Sequence, residues 1–144
     1  MYVNDPHTDP AEAIDAILAA PHATQPLRIA EIGAGTGIAT RELLAAGERH
    51  GGIARLDAFD PSEGMLQHLR RSLFGTPDAP GVVATLQARG ALAANAQVRV
   101  AEGAFDTFEA GHDNDLVVIA QAWHWCPNFD QALAHIAQAL RPGG

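Results

Sequence analysis

Glu31-Ile32-Gly33-Ala34-Gly35-Thr36-Gly37 decides the reading of this chain. It follows the apolar run Leu27-Arg28-Ile29-Ala30 and leads into a helical pattern from Ile38 to Ala46. That order predicts a strand, a glycine turn and a helix start. Glycine lets the backbone take positive φ and lets a ligand come close to the main chain. The helix start turns its free N–H groups and positive dipole end toward whatever sits on the turn. Spacing narrows the ligand. A dinucleotide fingerprint needs G-x-G-x-x-G, and its third glycine would fall where this chain has Ile38. A phosphate loop needs Gly-Lys-Ser/Thr, and the chain has no lysine. A plain glycine-rich turn and a cofactor cradle both fit the heptapeptide taken alone.

The flanking chain supplies the context. Asp9-Pro10-Ala11-Glu12 reads as a capping box with proline at the first helical position, and Ile14, Ile17 and Leu18 then share a face. Leu27 to Ile32 and Arg55 to Asp60 read as the first two strands. Asp60-Pro61-Ser62-Glu63 is a second capping box, with Asp60 as a candidate N-cap; its helix buries Met65, Leu66, Leu69 and Leu73 and stops at Gly75. Thr76 to Gly81 reads as a loop, and Val82, Val83 and Leu86 as a short helix. Gln97 to Ala101 alternates like an edge strand. Leu116 to Ala120 is a continuous apolar run, the pattern of a strand buried on both faces. Asn128 and Gln131 suggest a cap, after which Phe129, Leu133, Ile136 and Leu140 recur at helical spacing until Arg141-Pro142-Gly143. Strands alternating with helices predict an α/β fold with a parallel, doubly wound sheet.

Composition bounds the function. The chain has 144 residues, 47% of them hydrophobic, enough for one domain with a core. Its net charge is −8, and 9 arginines are its only strong cations. No basic run is present, which argues against nucleic acid and against an anionic membrane surface. Acids at Asp5, Asp9, Glu12 and Asp15 argue against a signal peptide, and no apolar stretch has the length of a span. A single cysteine, Cys126, fits a reducing cytoplasm.

In an open parallel sheet ligands bind outside the carboxyl ends of the strands. Those ends carry Glu31 with the glycines, Asp60, Glu102, and Gln121-Ala122-Trp123-His124-Trp125. An acid two residues before glycines at every second position resembles motif I of class I AdoMet-dependent methyltransferases. The resemblance runs over roughly residues 27 to 144. It implies a Rossmann-like sheet of about four strands in the order 3-2-1-4, residues 1–144 being one AdoMet-binding domain. It also implies that Gly33, Ala34, Gly35 and Gly37 hold the methionine part of AdoMet by their backbone, with Glu31 beside them. Asp60, followed by Pro61, takes the ribose hydroxyls in such a domain. Glu102 and Gly103 lie by the adenine, and Gln121 borders methionine and acceptor. The expected activity is methyl transfer to a small molecule, a carboxylate or a hydroxyl. A catalytically inactive AdoMet-binding or interaction module is the alternative.

Trp123-His124-Trp125 holds both tryptophans. In an extended chain the two rings share one face and His124 takes the other. The rings read as core aromatics or as walls of an acceptor site near the cationic sulfonium. His124 is the imidazole placed to act as a base on a hydroxyl acceptor. The segment also resembles the subgroup that includes trans-aconitate methyltransferase. The seven histidines are scattered and no metal site is expected; Cys126 reads as a small buried hydrophobe. The family's sheet continues beyond its fourth strand, so Leu116 to Ala120 is expected to have an uncovered side. The chain is accordingly expected to be a fragment, or to have that edge covered by a partner or a second copy.

Overall fold

The computed structural model describes residues 10–21, 26–104, 106–119 and 129–144. Its elements in order are α1 (Pro10–Ala19), β1 (Leu27–Ile32), α2 (Ile38–Ala46), β2 (Ile53–Asp60), α3 (Glu63–Phe74), β3 (Gly75–Thr76), β4 (Ala79–Pro80), α4 (Val82–Ala88), β5 (Gln97–Glu102), β6 (Leu116–Ile119) and α5 (Phe129–Ala139). The main sheet runs β5-β2-β1-β6 with every pair parallel. This is the expected 3-2-1-4 order, with the small β3–β4 hairpin inserted.

Period-two alternation divides the sheet between two cores. Leu27, Ile29, Leu56, Ala58, Leu116 and Val118 face the helices, where Ile14, Ile17 and Leu18 of α1, Leu43 and Leu44 of α2, and Leu66, Leu69 and Leu73 of α3 meet them. Burial of each such leucine or isoleucine stabilises the fold by about 1.5–3 kcal/mol. Ala30, Ile32, Phe59, Val117 and Ile119 face the other way, onto Phe108, Ala110 and Ala132 and Ala139 of α5. Toward the amino ends of the strands this second face turns polar. Asp57, nearly buried, takes a bidentate pair from Arg99 at 2.6 and 2.9 Å. Arg55 and Arg28 reach Asp113, and Arg141 pairs with Asp115. These four arginines are thereby paired with three aspartates, at the end of the sheet opposite the glycine turn.

Several expectations are corrected. Asp60 is not the N-cap of α3: Ser62 is, its hydroxyl accepting from the Met65 N–H at 3.3 Å. Met65 is 42% exposed and Leu133 47% exposed, so neither belongs to a buried face. On α5 the core side is carried by Ala132 and Ala139, with Ile136 and Leu140 packed against it. Residues 76–81 are not a plain loop, because 79–80 fold back on 75–76 as a hairpin. Gly75 and Gly81 make that possible: a Cβ at Gly75 would meet the Ala79 carbonyl at 2.4 Å, and one at Gly81 the Leu73 carbonyl at 2.3 Å.

Among the described residues β6 has one neighbouring strand, β1. Among the described residues its outer side is met at the entry end. There Leu140 bridges Asn114 in parallel, the Asn114 N–H donates to the Ala139 carbonyl, and the Arg141 N–H donates to the Asn114 carbonyl. All four side chains of β6 are buried. The uncovered side anticipated from sequence is thus begun by the chain's own segment after α5.

Candidate functional site

β1 and β2 end side by side, with Ile32 opposite Phe59. The Phe59 carbonyl accepts from both the Gly33 and the Ala34 N–H, at 2.8 and 3.0 Å. This pair of hydrogen bonds bends the chain off the sheet into the turn. Gly33, Gly35 and Gly37 all have positive φ, of 73°, 59° and 95°. Two of these glycines serve different ends. A Cβ at Gly37 would fall 2.5 Å from Leu69 Cδ1, so this glycine lets α2 pack on α3. A Cβ at Gly35 would meet nothing within 4 Å, so Gly35 keeps open space beside the backbone. The N-cap of α2, Gly37, offers no side-chain cap, which leaves the first N–H groups of the helix facing the turn.

Asp60 ties this cradle to the second strand. Its Oδ2 accepts from the Gly35 N–H and its Oδ1 from the Ser62 N–H, both at 2.9 Å. Both oxygens are used, yet a carboxylate has about four acceptor positions, so two remain for a ligand. At the same rim the Asp60 carbonyl accepts from the Gly103 N–H at 3.2 Å. Gly103 is packed too closely on Phe108 to carry a side chain, its Cβ position lying 2.9 Å from Phe108 Cα. Glu102 and Pro61 are exposed beside it.

Glu31 continues the helix-facing series of Leu27 and Ile29 and is fully buried. Its Oε1 accepts from the Thr40 hydroxyl on α2, while Oε2 has no partner. Burial pushes its carboxyl up to about 7, against the Thr40 hydrogen bond and with help from the Asp60 charge. A buried acid with one vacant oxygen is costly unless something pairs with it. Sequence reasoning missed Thr40; its signal was a small polar residue among Leu43, Leu44 and Ala46 on the buried side of α2.

The structure brings together Glu31, Gly33, Ala34, Gly35, Gly37, Asp60, Pro61, Glu102 and Gly103 along one rim. Gln121, Trp123, His124, Trp125 and Cys126 lie outside the described residues. No group of three or more His, Cys, Asp and Glu side chains gathers as a metal site among the described residues. No helix among them is long and apolar enough to cross a membrane.

An open parallel sheet with a glycine cradle and an acid at the next strand end defines an α/β nucleotide-cofactor domain. A family model described as a methyltransferase domain matches residues 30–144, and the chain belongs to that family. An uncharacterised methyltransferase of Mycobacterium bovis is 34% identical over 137 residues, which are 94% of this chain and 42% of that protein. The chain therefore spans less than half the length of the curated relative. A highly reducing polyketide synthase of Emericella nidulans is 32% identical over 123 residues, 82% of this chain and 4% of the synthase. Among solved structures, the CcbJ methyltransferase from Streptomyces caelestis is 26% identical with a TM-score of 0.60, covering 97% of this chain and 51% of that one. A SAM-dependent methyltransferase from Thiobacillus denitrificans, in complex with S-adenosyl-L-homocysteine, shares the fold at 20% identity and TM-score 0.60, covering 99% of this chain and 48% of that one.

Proposed function

We propose that residues 1–144 form an AdoMet-binding domain and carry out, or contribute to, methyl transfer to a small-molecule acceptor, a carboxylate or a hydroxyl. The observation that supports this reading is the pairing of Asp60 with the Gly35 N–H, which sets the carboxylate of the second strand beside an open glycine turn. Gly33, Ala34, Gly35 and Gly37 would receive the methionine part on their backbone. Asp60 would accept from the ribose hydroxyls through its remaining lone pairs, with Pro61 beside it. Glu102 and Gly103 would border the adenine, and the vacant Oε2 of Glu31 would meet the ammonium.

AdoMet supplies an electrophilic methyl on a cationic sulfur when bound. The chain's task is then to align the acceptor behind that methyl and to exclude water. Gln121, Trp123 and Trp125 are proposed to border the acceptor. His124 is proposed as the base for a hydroxyl, whereas a carboxylate needs none. Self-association through the outer side of β6 and a cytoplasmic setting belong to the same proposal, as does the absence of nucleic acid and membrane partners.

Transfer of labelled methyl from AdoMet to a panel of small carboxylic acids and alcohols tests the activity. Labelled product that disappears with Asp60→Ala supports it. Binding of S-adenosylhomocysteine with no transfer to any acceptor would favour the second reading, a catalytically inactive AdoMet-binding or interaction module.

A further inference from the structure

Thr40 and Glu31 form a fully buried pair between α2 and β1. Thr40 lies in the first turn of α2, which begins at Ile38; a threonine hydroxyl in a helix can bond back to a carbonyl one turn earlier. Thr40 instead donates to the Glu31 carboxylate, across to another element. A threonine hydroxyl has one proton to donate, so Oε1 is held and Oε2 is left with no partner. Both strand and helix are rigid at this point, since Ile29, Leu43 and Leu44 around the pair are also fully buried. Among the described residues the charged group that acts on Glu31 is Asp60, from β2; its β6 neighbour in register is Val118, and α2 contributes Thr40 itself.

We infer that Thr40 is a positioning residue for the cofactor: its hydroxyl holds Oε1 of Glu31 so that Oε2 receives the amino-acid ammonium. This rests on the cofactor reading above. The physical argument is one of competing charge states. The ammonium needs an ionised partner, burial opposes ionisation, and the Thr40 hydrogen bond favours it. Removing that donor leaves Glu31 protonated over a wider range and unable to neutralise the ammonium. The remainder of the site, which holds ribose and adenine, does not depend on it.

Calorimetric titration with S-adenosylhomocysteine and with methylthioadenosine, which lacks the amino-acid part, reads this directly. The variants are Thr40→Val, which keeps the shape and loses the donor, and Thr40→Ser, which keeps the donor. Thermal melting establishes that each is folded. At roughly pH 6.5, Thr40→Val is expected to bind S-adenosylhomocysteine about tenfold more weakly and methylthioadenosine within about threefold of the parent. Thr40→Ser restores the first value. The rise of S-adenosylhomocysteine affinity with pH is displaced upward in Thr40→Val. Equal loss for both ligands, or no loss for either, would overturn the role of Thr40 while leaving the cofactor reading intact. Failure of the parent chain to bind S-adenosylhomocysteine would overturn both.

Discussion

At the residue scale two carboxylates, Asp60 and Glu31, lie at the carboxyl ends of β2 and β1, and they differ in what holds them. Asp60 sits between two backbone donors, Gly35 and Ser62. Asparagine at this position keeps one acceptor oxygen and turns the other into an NH2 donor. One of the two backbone N–H groups then loses its partner. We predict that Asp60→Asn weakens S-adenosylhomocysteine binding by about 1.5–3 kcal/mol and also lowers the melting temperature, the two being read by calorimetry and by thermal melting. Binding equal to the parent's would remove the ribose role. Glu31 behaves in the opposite sense. Its carboxyl is raised from an ordinary 4.5 to about 7 in the folded state. Between those values the folded chain holds a proton that the unfolded chain has released, so stability falls as pH rises through that window. The full loss, above pH 7, is on the order of 3 kcal/mol. Glu31→Gln has no such proton, so we predict a flatter stability profile between pH 5 and 8 by denaturant unfolding of the ligand-free chain. Parallel profiles for parent and variant would show that Glu31 does not titrate there.

At the element scale the strand–turn–helix unit does two jobs with adjacent glycines. Gly37→Ala puts a Cβ into Leu69 at positive φ, and we predict a stability loss of about 1–3 kcal/mol by thermal melting. Gly35→Ala meets open space and retains only the strain of a positive φ, about 1–2 kcal/mol, yet its methyl occupies the cradle. We predict that it loses S-adenosylhomocysteine binding while remaining folded. Equal stability loss and equal binding loss in the two variants would contradict this division. The elements themselves were legible because their signals are local. The strand Leu27–Ile32 and the helix Ile38–Ala46 fall at the residues that periodicity and glycine spacing indicate. The cap of α3 was misplaced because Asp60 and Ser62 are both good caps in sequence. Asp60 is engaged instead by the tertiary bond from Gly35 and the local bond from the Ser62 N–H. The exposure of Met65 and Leu133 was hidden for a related reason: helical spacing defines a face, and the width of the neighbour that covers it is a property of the fold. The role of Thr40 was not legible because its partner lies on another element, nine residues earlier in the chain; only its polarity on the buried side of α2 marked it.

At the scale of the whole molecule, a four-stranded parallel sheet buries its central strands from both faces and leaves β5 and β6 as its outer strands. β5 alternates and suits that place. β6 does not alternate: its four side chains are all buried, and among the described residues Asn114, Ala139 and Arg141 pair along its entry end. Unpaired backbone groups beside an apolar strand recruit another chain. We predict concentration-dependent self-association of the 144-residue chain by light scattering; a monomer at all concentrations would show the outer side of β6 to be adequately covered. The central claim concerns the rim at the other end of these strands. We propose that glycines at 33, 35 and 37, with Ile38 where a dinucleotide site needs glycine, select one cofactor over another. Calorimetric titration of this chain with S-adenosylhomocysteine and with NAD tests that most directly. The account predicts saturable heat with S-adenosylhomocysteine and none with NAD. Tight NAD binding without heat from S-adenosylhomocysteine would contradict it.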